Sequence, residues 1–428
     1  MTEVEALLAS ARHWRDRRHE LDVDLNGRPA AHHKSQINTI AATIESIAST
    51  LRQRCTEANE LDDDAFFDIL ALYDDSLLWL GRVFQFFAMK FAQREQGQGL
   101  ALRAADELVW SCYEPVMRAA GRRNSMPPPP LPFIARELSP AAIVHDAPLP
   151  PPLQAPAELG GEPVAILAKM PVPLLQLPPH VERAPWTLVF AGHEAAHYLI
   201  NDLHLREYFA DGIAATGSDE LADERAWRHW SEEIAADFIA LLLIGSTSRD
   251  ALVDELWGSA AAMDAPPANH PPVRLRLSVL DTAARQLGIA SAENFADDQH
   301  VALVEFLRAP IPDVGKLETL CGFAPKALAT EIDWWEKQMR GEDAADFSDF
   351  EAPRRAAAAA YRAWTTVADL DASKLAARAA TLIAGCGPEG EREAVALPEL
   401  EPADALTDLL VSDVKQRRAR QTVGDDAL

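Results

Sequence analysis

Cysteine is scarce in this sequence, with four residues among 428. The four thiols are widely separated, and no two of them form a CxxC pair: Cys55, Cys112, Cys321 and Cys386. A secreted domain stabilised by disulfides normally carries more cysteines at closer spacing. We therefore expect reduced, mostly buried thiols and a cytoplasmic location.

Positive charge is also in short supply. The chain has 40 lysines and arginines against 66 aspartates and glutamates, which gives a formal net charge of −26 and an isoelectric point near 4.8. Nucleic acids and anionic membranes attract basic surfaces. The composition thus argues against nucleic acid or a membrane surface as the main partner, and it leaves the substrate open.

Long apolar runs are missing as well. The longest, such as Phe238–Ile244, are far shorter than the roughly 20 residues that a membrane-spanning helix needs. The first residues, Met-Thr-Glu-Val-Glu, lack the basic start and apolar stretch of a signal peptide. With 48% hydrophobic and 25% charged residues, the sequence predicts a soluble globular protein.

The most informative stretch that is present is His193-Glu194-Ala-Ala-His197, inside the apolar segment Phe190 to Ile200. The apolar flanks predict a buried helix, and histidines four positions apart lie on one face of a helix. Both imidazoles can therefore bind one metal ion, with Glu194 beside it as a general base. Buried polar side chains of this kind require a partner, and a metal provides one.

A second apolar helix carries further acids that could complete the site. Glu233 and Asp237 are four positions apart and share one face of this helix. One carboxylate on the metal and a second holding a ligand imidazole by its other nitrogen would account for both. The alternative is an exposed acidic stripe, which suits Glu232 better than Asp237.

Three motifs in order resemble a known family. HEAAH is followed by Glu233-Ile-Ala-Ala-Asp237 and then by His270-Pro-Pro-Val-Arg-Leu-Arg276. This order is similar to that of the M48 (Ste24/HtpX-type) zinc metallopeptidases of the gluzincin class, over about residues 185–280. The best-known members of that family are membrane proteins, so a soluble relative is implied here, and membrane-borne substrates are not.

The resemblance implies zinc as the cofactor and a role for each matching residue. His193, His197 and Glu233 would bind the zinc, and Glu194 would be the catalytic base. The resemblance places Asp237 behind a ligand. It assigns His270 and Arg276 to shaping the site, with His270 also a candidate electrophile towards the oxyanion; Tyr198, Tyr208 and His229 are the other candidate donors.

The expected fold is mostly α, with a zincin-like core, a small β-sheet and helical regions on both sides. The N-terminal helices show apolar seams at Ile37–Leu51 and Phe66–Phe91, which favour a packed bundle over a dimerising coiled coil. The expected domains are a recognition or regulatory bundle, a Pro-rich connector, the peptidase core, a helical region and an acidic, partly disordered tail: 1–124, 125–160, 161–290, 291–386 and 387–428.

Local patterns around the core predict its smaller elements. Short β-like pieces occur at Phe133–Ala135 and Val164–Leu167, and flanking prolines restrict Leu174–Leu177 to an edge strand. Residues 211–220 are expected to form a turn region before a long helix at about 220–244.

The predicted function is a soluble zinc-dependent endopeptidase acting on a protein or peptide substrate, active or latent until a partner binds. Two alternatives stay open, namely a non-catalytic regulatory protein with a structural zinc and a regulatory metalloprotease of the ImmA/IrrE type. A homodimer through the N-terminal helices is a further expectation.

Overall fold

The structure is a computed structural model that is mostly helical with one small sheet, as the sequence predicts. None of its described helices is both long enough and apolar enough to cross a membrane. The strand expected at Val164–Leu167 and the tail expected from residue 387 lie outside the described residues, apart from Leu167. The structure describes most of 33–47, and 63–95, 99–122, 126–137, 140–145, 147–155, 167, 169–217, 223–256, 263, 270–289, 300–341, 352–366 and 371–386.

The elements are labelled in chain order. The helices are α1 Asp63–Ala92, α2 Gly99–Ala119, α3 Ala191–Asp202, α4 Arg206–Thr216, α5 Glu224–Ile244, α6 Ser246–Leu256, α7 Val273–Leu287, α8 Val301–Arg308, α9 Leu317–Leu320, α10 Pro325–Arg340, α11 Ala352–Thr366 and α12 Ala372–Gly385. The strands are β1 Leu131–Ile134, β2 Ala141–Ile143 and β3 Leu174–Leu177.

The chain divides into two compact units. The first comprises residues 1–89, 147–171 and 392–428. Within it, the isoleucines of the predicted N-terminal seam at positions 37, 40 and 47 are buried. Also within it, the Trp79 indole N–H donates a hydrogen bond to the Leu153 carbonyl at 3.1 Å. The described part of this unit is therefore organised around inward-facing apolar side chains.

The second unit, residues 90–146 and 172–391, contains α2 together with the HExxH helix α3. These two helices pack against each other, and the Tyr113 hydroxyl of α2 donates to Asp202 Oδ2 at the end of α3, at 2.7 Å. The sequence pattern predicts residues 99–119 as part of a separate bundle that ends at residue 124. Here they share a core with the motif helix, because α2 is buried on most of its surface.

The sheet has the strand order β1-β3-β2, with β1 parallel and β2 antiparallel to β3. Strand β3 is thus the central strand, and the expectation of an edge strand was wrong. The prolines that suggested an edge, Pro173 and Pro178, lie just outside the four paired residues. The backbone N–H groups of β3 are therefore free to bond on both sides.

Helices α3 and α5 form the centre of the second unit. Helix α5 is capped at its start by Asp223, whose side chain accepts a hydrogen bond from the Ala226 N–H at 2.9 Å. At its end it is capped by Gly245, which has a positive φ of 86°. Helix α4 precedes it and continues to Thr216. Most of the turn region expected at 211–220 is therefore helical, and the helix ends only at Gly217.

Gly192 allows α3 and α5 to approach closely, because a Cβ there would lie 2.5 Å from Ile244 Cγ1. We predict that Gly192→Val lowers the free energy of unfolding by roughly 1–3 kcal/mol through overpacking. Gly385→Val is the matched control: Gly385 also lies in a helix, but a Cβ there meets nothing within 4 Å. Thermal or chemical unfolding checks both, and equal stability of Gly192→Val would contradict the close approach.

Candidate metal centre

The two histidines of the HExxH motif point their Nε2 atoms at the same place. The two residues lie one helical turn apart on α3, and their Nε2 atoms are separated by 3.2 Å. The imidazole rings are nearly perpendicular, with an interplanar angle of 81°. Both side chains are mostly buried. The predicted pairing on one helix face is therefore present in three dimensions.

Glu233 on α5 brings its carboxylate to the same place. Its Oε2 lies 3.4 Å from His193 Nε2, and its Oε1 lies 3.6 Å from His197 Nε2. In a tetrahedral zinc site with bonds of about 2.0–2.1 Å, neighbouring donor atoms are roughly 3.3 Å apart. Each histidine Nε2 has a Glu233 oxygen near that spacing, and one ligand atom from each of the three residues lies within 4.8 Å of the others, so the group could hold a zinc ion.

Asp237 lies directly behind His193. Its Oδ1 is 2.9 Å from His193 Nδ1, the nitrogen that does not face Glu233. Arg276 on α7 holds the same carboxylate with two short hydrogen bonds, from Nε to Oδ2 at 2.7 Å and from Nη2 to Oδ1 at 2.8 Å. Arg276 Nη2 also comes within 3.6 Å of Glu233 Oε2. Asp237 and Arg276 thus both lie beside the candidate ligands.

Glu232, the acid that the alternative of an exposed stripe suited best, is only 29% exposed and contacts a histidine. Its Oε1 lies 3.1 Å from His197 Nδ1, and its Oε2 lies 3.0 Å from Arg206 Nε. Arg206 is the first residue of α4 and carried no signal in the sequence. A metal-bound imidazole generally has a partner at its second nitrogen. This rule could have pointed to Glu232, the acid next to Glu233 in the sequence.

A cavity of about 660 Å³ opens beside these residues. Glu194 lines it together with the three candidate ligands, and its side chain is largely buried. His270 lines it too, with its Nε2 3.7 Å from Glu233 Oε1, and about half of its side chain is exposed. All residues that the motifs single out therefore meet at one cavity.

The structure narrows the set of candidate oxyanion donors. Tyr198 is fully buried, and its hydroxyl donates to the Leu174 carbonyl of β3, which leaves it no role in the cavity. Tyr208 stacks on Phe306 with ring centroids 5.2 Å apart and is not among the described residues that line the cavity. His229 and His270 both line it.

The charged groups of the cluster shift one another's pKa values. Burial opposes the charged form of His193, but hydrogen bonds to Asp237 and Glu233 outweigh burial and raise its pKa to about 10. Burial also opposes ionisation of Glu233, yet the contact with His193 lowers the pKa of Glu233 to about 2. The pKa of Asp237 lies well below its usual range because Arg276 and His193 outweigh the effect of burial.

The site has more carboxylates than guanidinium groups. Three carboxylates contact the histidines, and Glu194 lines the same cavity; only two guanidinium groups, those of Arg206 and Arg276, face them among the described residues. Once both imidazoles are neutral, as metal binding requires, the excess of negative charge is what a divalent ion would neutralise.

Comparisons of the chain with protein families, with curated proteins and with solved structures found no match. The resemblance to the M48 family accordingly stays a prediction that rests on the three motifs.

The raised pKa of His193 predicts proton release on metal binding. A metal needs the neutral imidazole, whereas the metal-free protein keeps this histidine protonated up to about pH 10. Zinc binding near neutral pH should therefore release about one proton, and the apparent affinity should rise with pH between about 7 and 9. Calorimetric titration in two buffers of different ionisation enthalpy measures this release. A pH-independent affinity with no proton release would contradict the assignment of His193.

Proposed function

We propose that this chain is a zinc-dependent endopeptidase that hydrolyses peptide bonds of a protein or peptide substrate. The observation that carries the proposal is the convergence of His193, His197 and Glu233 on one point, with Glu194 in the same cavity. The HExxH pattern alone is weak evidence. The arrangement of a third ligand and of carboxylates behind both histidines strengthens it.

The geometry supports a catalytic metal over a structural one. Structural zinc sites are closed by four protein ligands, whereas catalytic sites use three and leave one position for water or substrate. Among the described residues, three converge as candidate ligands, and a cavity lies beside them. A purely structural site would also have no use for Glu194, which is held largely buried at that cavity.

The chemistry is metal-assisted hydrolysis of an amide. A zinc ion held by these three residues would polarise the scissile carbonyl and lower the pKa of a bound water to about 7. Glu194 accepts the proton of the attacking water on its carboxylate and passes it to the leaving amine nitrogen. His270 and His229 line the cavity and are the candidates to donate to the developing oxyanion.

The surroundings of the cavity favour a peptide substrate. Strand β2 bonds to β3 on one side and has no strand on its other side among the described residues. Ala141 and Ala142 of β2 line the cavity, so an extended peptide could pair with this edge and lie across the metal centre. The apolar side of the cavity suits an apolar substrate side chain; it includes Val189, Phe190, Leu252, Leu256, Val273 and Leu280.

We place the enzyme in the cytoplasm and assign substrate choice to the N-terminal region. The described thiols, Cys112, Cys321 and Cys386, are buried and unbonded to one another, which suits a reducing compartment. None of the three candidate ligands comes from residues 1–89, which belong to the other compact unit. A recognition role for that unit is consistent with this division.

Glu194→Gln tests the proposal. Glutamine keeps the size of the side chain but cannot act as a base, so cleavage of a generic unfolded protein should fall by at least about 10²-fold. The zinc content should be unchanged, because Glu194 is not among the ligands. Glu207→Gln, at an exposed acid of α4, is the matched control and should cleave like the wild type. If Glu194→Gln cleaved as fast as the wild type, the peptidase mechanism would be contradicted.

A further inference from the structure

Both candidate histidine ligands are held from behind by a carboxylate and an arginine, but the two arrangements differ in exposure. Asp237 and Arg276, behind His193, have side chains that are only 6% and 7% exposed. Glu232 and Arg206, behind His197, are 29% and 45% exposed. One side of the site is therefore fixed in the interior, and the other is open to solvent.

The solvent-facing arrangement joins three helices at the metal site. His197 comes from α3, Arg206 from the start of α4, and Glu232 from α5. Each oxygen of Glu232 makes one contact, Oε1 with His197 Nδ1 at 3.1 Å and Oε2 with Arg206 Nε at 3.0 Å. The guanidinium thus fixes the carboxylate, and the carboxylate fixes the imidazole ring.

We propose that Arg206 and Glu232 form a positioning pair that holds His197 ready for the metal and governs how tightly the metal is retained. This inference rests on the proposed metal site. A carboxylate at Nδ1 keeps the proton on that nitrogen, orients the ring and leaves the Nε2 lone pair for the metal. Behind His193, Asp237 Oδ1 lies 2.9 Å from Nδ1, and this carboxylate is buried and accepts two hydrogen bonds from Arg276.

The difference in exposure gives the two histidines different roles in metal exchange. Contacts between exposed charges are weakened by salt, since the screening length falls from about 8 Å at physiological ionic strength to about 3 Å at 1 M. The pair behind His197 is accordingly the part of the site that responds to ionic strength. If a zinc ion were bound, His197 would be the ligand whose support from behind weakens as the salt concentration rises.

The chain provides a matched control for this pair. Arg228 of α5 and Asp211 of α4 also form an ion pair between the same two helices, with side chains 43% and 67% exposed. Neither residue contacts either histidine or lines the cavity. Removing this pair weakens the same helix contact without touching the metal centre.

The test compares zinc binding by the full-length wild type and its variants, using chelator competition for affinity and chelator-trapped release for the dissociation rate. Glu232→Gln should weaken zinc binding by about 10-fold to 100-fold, mainly through faster release. Arg206→Gln should weaken zinc binding less, by about 3-fold to 10-fold at low salt, and this loss of affinity should disappear near 1 M salt. Asp211→Asn should stay within about twofold of the wild type.

Cobalt substitution gives a second measurement. The spectrum of the bound cobalt would not change if Glu232 only stabilised the fold. The visible spectrum of bound Co²⁺ should change in Glu232→Gln and keep its wild-type form in Asp211→Asn, while metal-free unfolding confirms that both variants fold. Wild-type zinc affinity and cobalt spectrum in Glu232→Gln would overturn this inference alone, as would an equal loss of affinity in Asp211→Asn. A wild type that binds no zinc would overturn the proposed function as well.

Discussion

The burial of two imidazoles and two carboxylates between α3 and α5 is the constraint on which the rest of the second unit depends. Polar groups removed from water are costly unless each finds a partner. The partners come from the neighbouring helix α7, through Arg276, and from one another. The fold therefore assembles a cluster of ligands whose excess negative charge fits a divalent ion.

The close approach of α3 and α5 makes this geometry possible. With Gly192 opposite Ile244, the two helices lie near enough for side chains of ordinary length to meet at a single point. This point lies at the boundary between the buried interior of the second unit and the cavity. Both histidines line the cavity; Asp237, behind His193, is enclosed, whereas Glu232, behind His197, and the edge of β2 are more accessible.

Much of the site can be predicted from helical spacing alone. The four-residue spacing on α3 and on α5 is enough to place His193 beside His197 and Glu233 beside Asp237. Arg206 cannot be found in this way, because its contact depends on how the short connection after α3 turns the chain into α4. The central position of β3 and the packing of α2 on α3 also depend on contacts between distant segments, which local patterns do not encode.

The most direct test of the account is the metal content of the purified full-length chain. We expect about one zinc per chain after equilibration with excess zinc and removal of the free metal. We also expect Glu233→Ala to lose this zinc, whereas Glu207→Ala, at an exposed acid of α4, should keep it. A wild-type protein that is folded yet takes up no zinc, or a Glu233→Ala variant that binds zinc as tightly as the wild type, would contradict the metal centre.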